Sequence, residues 1–305
     1  MPAKPDKGLY LRYSPARLGA AKLDLISKLG PIVAEYENAG YAVSVRQIYY
    51  QMVSTGQLPN SPRSYDMVQG ALNDGRMAGL ISWTAIEDRG RSLRGLGYQT
   101  SVAGALRKTR AGYLRDLWAD QPWRPEVWIE KDSLIGVIGG ICNRLRVDFF
   151  SCHGYNSQSE QWAAGRRFAG YVQKGQRPIV LHLGDHDPSG VDMTRDNRDR
   201  LSMFAGTPVL VQRLALNMPQ IEELNLPPFW AKVTDSRAAG YIAQYGDHAW
   251  ELDALRPQYM EKLIEDAVRR LREPAEWEAA MARENEDQRE FDELIAQTGD
   301  DNDRD

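Results

Sequence analysis

The stretch Leu181-His-Leu-Gly-Asp-His-Asp-Pro-Ser-Gly190 decides how this chain is read. An apolar run, Pro178 to Leu183, ends in two aspartates two residues apart, with Pro188 and Gly190 directly after. In an extended chain, side chains at i and i+2 share a face, so Asp185 and Asp187 are expected to point together at one cation. Pro188 and Ser189 suit the first turn of a helix. In an open α/β sheet, that junction at the carboxyl end of a strand is where ligands bind.

A second carboxylate stands in the same setting upstream. Glu126-Val-Trp-Ile129 is strand-like, Glu130 follows it, and Lys131-Asp-Ser-Leu-Ile135 starts a helix. Glu130, Asp185 and Asp187 would then form an oxygen-rich anionic site suited to Mg²⁺. A lone acid at a strand end is ordinarily only a helix cap. Two matched strand-end acids in one α/β segment favour the metal site.

From residue 125 the pattern alternates: strand 126–129, helix 132–145, strand 148–152, helix 157–173, strand 178–183, helix 189–204, strand 208–214. That alternation predicts a mostly parallel sheet with helices on both faces. Upstream, residues 1–15 form a polar arm, and Ala16 to Asn38 has helical periodicity interrupted at Gly30-Pro31. Ser44-Val-Arg-Gln47 is a capping-box pattern opening a helix that carries Arg46, Tyr49 and Tyr50. Ser64 is expected to cap a third helix to about Ala78, and Leu80 to Ile86 reads as a strand. Three helices and a strand make a winged-helix arrangement. The expected domains are 1–91 (arm and winged helix), 92–124 (basic linker), 125–272 (metal-binding α/β domain) and 273–305 (acidic tail). A helix is expected from Gln258 to Leu271, and helical character in the tail as far as Ala296.

The 305 residues suffice for two domains, and 42% hydrophobic with 26% charged residues is the balance of a soluble globular protein. No run is apolar enough to span a bilayer, the N-terminus lacks a signal-peptide core, and Cys142 and Cys152 give neither a disulfide framework nor a zinc spacing. A reducing cytoplasm is expected. The net charge of −4 is unevenly spread: residues 273–305 hold thirteen acids and three arginines, leaving 35 basic and 29 acidic residues before them. Between Arg89 and Arg115 there are seven basic residues and no acid. Such a run is usually a solvated surface, yet it is also what tracking phosphates requires, with Arg89, Arg91, Arg94 and Lys131 as candidate DNA contacts.

Glu130-Lys131 after a strand, and Asp185-His-Asp187-Pro-Ser-Gly190 farther on, resemble the Toprim domain, and more narrowly its version in the topoisomerase VI A subunit and the meiotic double-strand-break proteins. That family pairs Toprim with an upstream winged helix carrying a catalytic tyrosine in an Arg-x-Ile-Tyr-Tyr pattern, which Arg46-Gln-Ile-Tyr-Tyr50 matches. The resemblance spans roughly residues 16–270, with specificity in the two motif regions. It implies a Mg²⁺-dependent, DNA-cleaving isomerase of type IIB kind in which Tyr50 attacks double-stranded DNA and forms a phosphotyrosyl link. It further implies a homodimer in which the tyrosine of one subunit meets the metal site of the other. A separately encoded ATPase B-type subunit is a further partner of the family. An association with nucleoid, viral or plasmid DNA follows, and the shortness of the chain suggests the compact mini-A members. Departures are Gln47, where the family usually has an acid, and the loop at His153, which lacks a Gly-Lys-Gly pattern.

A phenol with an ordinary pKa of about 10 needs help to become a nucleophile. Arg46 stands one turn before Tyr50 and would favour the phenolate or hold the phosphate. Helical tyrosines beside an isoleucine more often simply pack in a core. Two rival readings stay open: a hydrolytic Toprim endonuclease using metal-activated water, and a non-catalytic DNA-binding protein. His186, between the two aspartates, is expected to pack away from them.

Overall fold

The computed structural model describes residues 10–13, 18–41, 43–86, 98–152, 158–231 and 234–298. The protein is α/β, with a four-stranded, wholly parallel sheet. Its strands are β1 (Trp123–Ile129), β2 (Asp148–Ser151), β3 (Arg177–Leu183) and β4 (Leu210–Ala215), in the order β2-β1-β3-β4. The sheet exists because both of its faces are apolar. Val127, Ile129, Ile179, Leu181 and Leu183 face one layer, whereas Trp128 and Val180 between them face the other. The first layer holds α5 (Ile135–Arg144) and α10 (Pro257–Leu271); the second holds α6 (Gln158–Gln173) and α7 (Pro188–Ala205). The connection from β1 leads to β2 on one side and that from β3 to β4 on the other, so a crevice opens above the carboxyl ends of β1 and β3 at this switch in strand order.

Ahead of the sheet stand α1 (Ala20–Asn38), α2 (Val45–Ser54) and α3 (Pro62–Met77), packed around Leu29, Val33, Ile48, Met52 and Leu72. Pro31 lies within α1, which runs on as one helix through the interruption at Gly30-Pro31. α3 starts earlier than expected: Ser61, not Ser64, is its N-cap, because Pro62 fits the first helical position and Ser64 supplies the N–H that Ser61 accepts. Residues 80–86 are not a strand. Only Ile86 pairs, through a single bridge to Val43, while Ile81, Ala85 and Ile86 serve as core residues of the helical unit.

α4 (Val102–Gly112) is the helix expected between the two regions. Beyond it, Leu117 and Trp118 are buried in the main core, so the packed unit begins inside the stretch read as a linker. The tail differs more. α11 (Pro274–Gln297) docks against α4, and Trp277 packs edge-on to Trp118 at 5.5 Å. Two of its acids meet the basic run, Asp292 pairing with Arg110 and Asp287 with Arg115, while Glu284 pairs with Arg146 beyond that run. α8 (Met218–Leu224), β5 (Phe229–Trp230), α9 (Ala238–Tyr245) and β6 (His248–Ala249) fill the segment before α10, with β5 and β6 antiparallel. Among the described residues no helix is long and apolar enough to cross a membrane.

Candidate active site

The crevice above β1 and β3 gathers the acids singled out in the sequence. Glu130 directly follows β1, and its Oε2 accepts the backbone N–H of Asp185 at 2.8 Å. β3 stops at Leu183, so extended alternation does not orient the aspartates. Asp187 instead becomes the N-cap of α7, its Oδ1 accepting the N–H of Gly190 at 2.6 Å. Gly190 has to be glycine here: a Cβ would stand 2.3 Å from the carbonyl oxygen of Asp185 and 2.8 Å from Glu130 Oε2. The Asp185 carboxylate accepts the N–H of Leu252 at 2.7 Å and an ion pair from Lys131 Nζ at 3.0 Å.

Lys131 was expected to meet DNA phosphate, and here the structure differs. Its ammonium is turned inward onto Asp185, Glu251 (2.9 Å) and Asp253 (2.6 Å). Burial alone would drive it toward neutrality, but those carboxylates outweigh burial and hold it charged. Arg89, Arg91, Arg94 and the loop at His153 lie outside the described residues. His186 packs away from the acids as expected, its Nδ1 sharing a hydrogen bond with the Tyr241 hydroxyl at 2.8 Å. Asp192 pairs with Arg195 and Arg237 on the surface of α7.

Tyr50 and Arg46 reach the same cluster from α2. The Ser44 capping box closes as the sequence suggests, and Gln47 is its second member, its Oε1 accepting the Ser44 N–H at 2.9 Å. Gln47 is thus committed to the helix start. A carboxylate beside the tyrosine comes from elsewhere: Glu251 lines the same cavity as Tyr50, and Arg46 Nε is 3.7 Å from Glu251. Tyr50 is 5% exposed. Burial, and next the charge of Glu251, push its phenol above the ordinary tyrosine range. Glu251 has the opposite fate: Lys131 and Arg46 overcome its burial and keep it ionised. Tyr50, Arg46 and Glu251 line a cavity of about 530 Å³.

Sequence reasoning missed Glu251, Asp253 and Arg213. Glu251 and Asp253 repeat the two-apart spacing of Asp185 and Asp187, and both reach Lys131. Arg213, partly buried on β4, donates to the carbonyls of Gly184, Asp185, Gly190 and Leu216 and so braces the loop bearing both aspartates. No local pattern marks an arginine in a strand for that task.

The crevice is rich in carboxylate oxygens. Five carboxylates (Glu130, Asp185, Asp187, Glu251, Asp253) face three cations (Arg46, Lys131, Arg213), two short of neutrality when all are ionised. Burial and the neighbouring Asp185 push Glu130 upward, as burial pushes Asp185 itself. The buried Oδ1 of Asp253 has no hydrogen-bond partner. All donors are hard oxygens, which fits Mg²⁺. The side chains are nonetheless engaged with protein groups, and among the described residues no three His, Cys, Asp or Glu side chains stand in a metal-holding arrangement.

No protein-family model, no curated protein and no solved structure matches this chain.

Proposed function

We propose that this chain cleaves DNA by transesterification at Tyr50, as a compact relative of the topoisomerase VI A subunit with a winged-helix unit and a Toprim-like sheet. One observation carries the reading: Tyr50 and Glu251 line one cavity, and the Glu251 carboxylate is paired with Lys131, which also pairs with Asp185. Nucleophile, proton acceptor and acidic crevice are thus one connected system. The parallel sheet with acids at its switch point supports the Toprim-like part, and three helices ahead of it support the winged-helix part.

In the reaction, the Tyr50 oxygen bonds to phosphorus as its proton passes to Glu251, the bond from phosphorus to the sugar oxygen breaks, and that oxygen takes a proton from water and leaves as the hydroxyl of the second DNA end. The phosphodiester becomes a phosphotyrosyl ester, so no water is consumed and the bond energy is kept. Arg46 offers paired donors to the phosphate oxygens. Glu130, Asp185 and Asp187 would hold Mg²⁺, which when bound supplies positive charge for the phosphate and the leaving oxygen. Lys131 keeps Glu251 ionised and thus able to accept the proton. The connection from Tyr50 to Asp185 runs within one chain, so we place a complete site in each copy. Cutting both strands of a duplex then takes two copies.

The hydrolytic alternative is favoured by a single observation, the near-complete burial of Tyr50. Denaturing the protein on end-labelled DNA with Mg²⁺ separates the two. Covalent adducts that vanish in Tyr50→Phe support transesterification; cleavage that survives Tyr50→Phe makes the enzyme a hydrolase. Binding indifferent to Mg²⁺ and to Asp185→Asn, without cleavage, would make it a DNA-binding protein only.

A further inference from the structure

The cavity that holds Tyr50 has a second wall, for which strand cleavage alone has no use. β5 and β6 carry Trp230 and His248 side by side, their rings stacked at 4.9 Å and 23°. Trp230 is 70% exposed, on the rim of the cavity. Across from this strand pair, α3 contributes Tyr65, with the Arg46 guanidinium 6.0 Å above its ring and Tyr49 edge-on at 5.6 Å. A tryptophan this exposed forfeits much of the apolar burial that ordinarily places the residue, while His248 fixes the plane of its ring.

Flat rings presented to solvent, with a cation among them and a phosphate-reactive group beside them, match the surfaces on which unpaired bases stack. An aliphatic occupant would gain little from walls whose ring edges are polar, such as the Tyr65 hydroxyl and the His248 nitrogens. A base inside a duplex keeps both faces covered by its neighbours and has no face to offer. The volume of about 530 Å³ lies within the range of small-ligand sites. We propose that this cavity binds an unpaired nucleobase, stacked on Trp230, next to the phosphate addressed by Tyr50. The preferred substrate is accordingly single-stranded or locally opened DNA. The placement of that phosphate rests on the cleavage reading; the stacking does not.

The test uses full-length Tyr50→Phe protein, so that no cleavage intervenes, and the anisotropy of a labelled single-stranded oligonucleotide. Its perfect duplex and a set carrying one abasic residue moved along the strand serve as comparisons. The single strand is expected to bind about tenfold more tightly than the duplex, one abasic position to weaken binding about tenfold, and Trp230→Ala to weaken it by a similar factor. In Trp230→Ala that abasic position should no longer matter, while Trp230→Phe keeps most of the affinity. The inference is overturned if abasic and Trp230→Ala losses multiply independently, or if Trp230→Ala leaves single-strand affinity unchanged. It is equally overturned if Trp230→Ala alters only the sedimentation of the protein, which would make the ring a contact between copies. Lost stacking with covalent adducts still formed by the wild type sinks this inference alone. Stacking without adducts sinks the cleavage reading alone.

Discussion

Glu251 is the residue on which the proposed chemistry turns, because it is the carboxylate that shares the cavity with Tyr50 and is kept ionised by Lys131 and Arg46. Replacing it with glutamine keeps the shape and removes the proton acceptor. Glu251→Gln is expected to slow single-turnover cleavage about 100-fold, the usual scale for a lost general base, while leaving DNA affinity within about threefold. An unchanged rate would remove Glu251 from the mechanism. Gly190 is the other sensitive position, since a methyl group there collides with the Asp185 backbone and the Glu130 carboxylate. Gly190→Ala should cost roughly 1–3 kcal/mol in urea unfolding and impair cleavage beyond what the lost stability explains. Much of this was legible in the sequence: Glu130, Asp185 and Asp187 do gather, because strand-end positions in a parallel sheet meet by topology. Glu251 was not, because it comes from a short turn at 251–254 that neighbours the tyrosine only after α2 packs against it.

The C-terminal helix shows what charge counting can hide. Thirteen acids in the last 33 residues mark an acidic tail with helical character, yet α11 also buries Trp277 and Ala280 and lays Asp287 and Asp292 on Arg115 and Arg110. The exposed ion pairs add little stability. The anchor is the indole against Trp118. Trp277→Ala should lower unfolding free energy by about 3–5 kcal/mol, whereas Asp287→Asn and Asp292→Asn together should cost under about 1 kcal/mol. Equal losses from both would mean that the helix is held by charge. The long elements of the sheet domain follow their apolar periodicity within a few residues, as expected where both faces are buried. Residues 80–86 departed from expectation because their β-branched and aromatic residues fit a strand, while only Ile86 finds a backbone partner.

The architecture sets the acidic crevice at the sheet's reversal point and lays the helical unit across it, so that α2 delivers Tyr50 and Arg46 to acids contributed by distant segments. Two histidines are locked neutral in the same region: burial, and then Arg213, pushes His182 down to about 3 and His186 to about 4. Their folded values lie below the unfolded value of about 6.5, so the unfolded chain takes up protons first as pH falls. Their contribution is complete above pH 6.5 and is lost toward pH 4. The raised carboxyls of Glu130 and Asp185 act in the opposite direction, so the effect is read as a difference between proteins. Wild type minus His182→Asn should lose roughly 1.4 kcal/mol per pH unit between pH 6 and 4, and a flat difference would mean that His182 is protonated in the folded state.

The most direct test of the whole account is chemical analysis of the cut ends. After reaction with Mg²⁺ and quenching in detergent, DNA labelled at internal phosphates should transfer label to a single peptide, Tyr50 should carry the phosphate, and the other end should bear a free hydroxyl. Cut DNA with a phosphate on one end and a hydroxyl on the other, and no label on the protein, would contradict it.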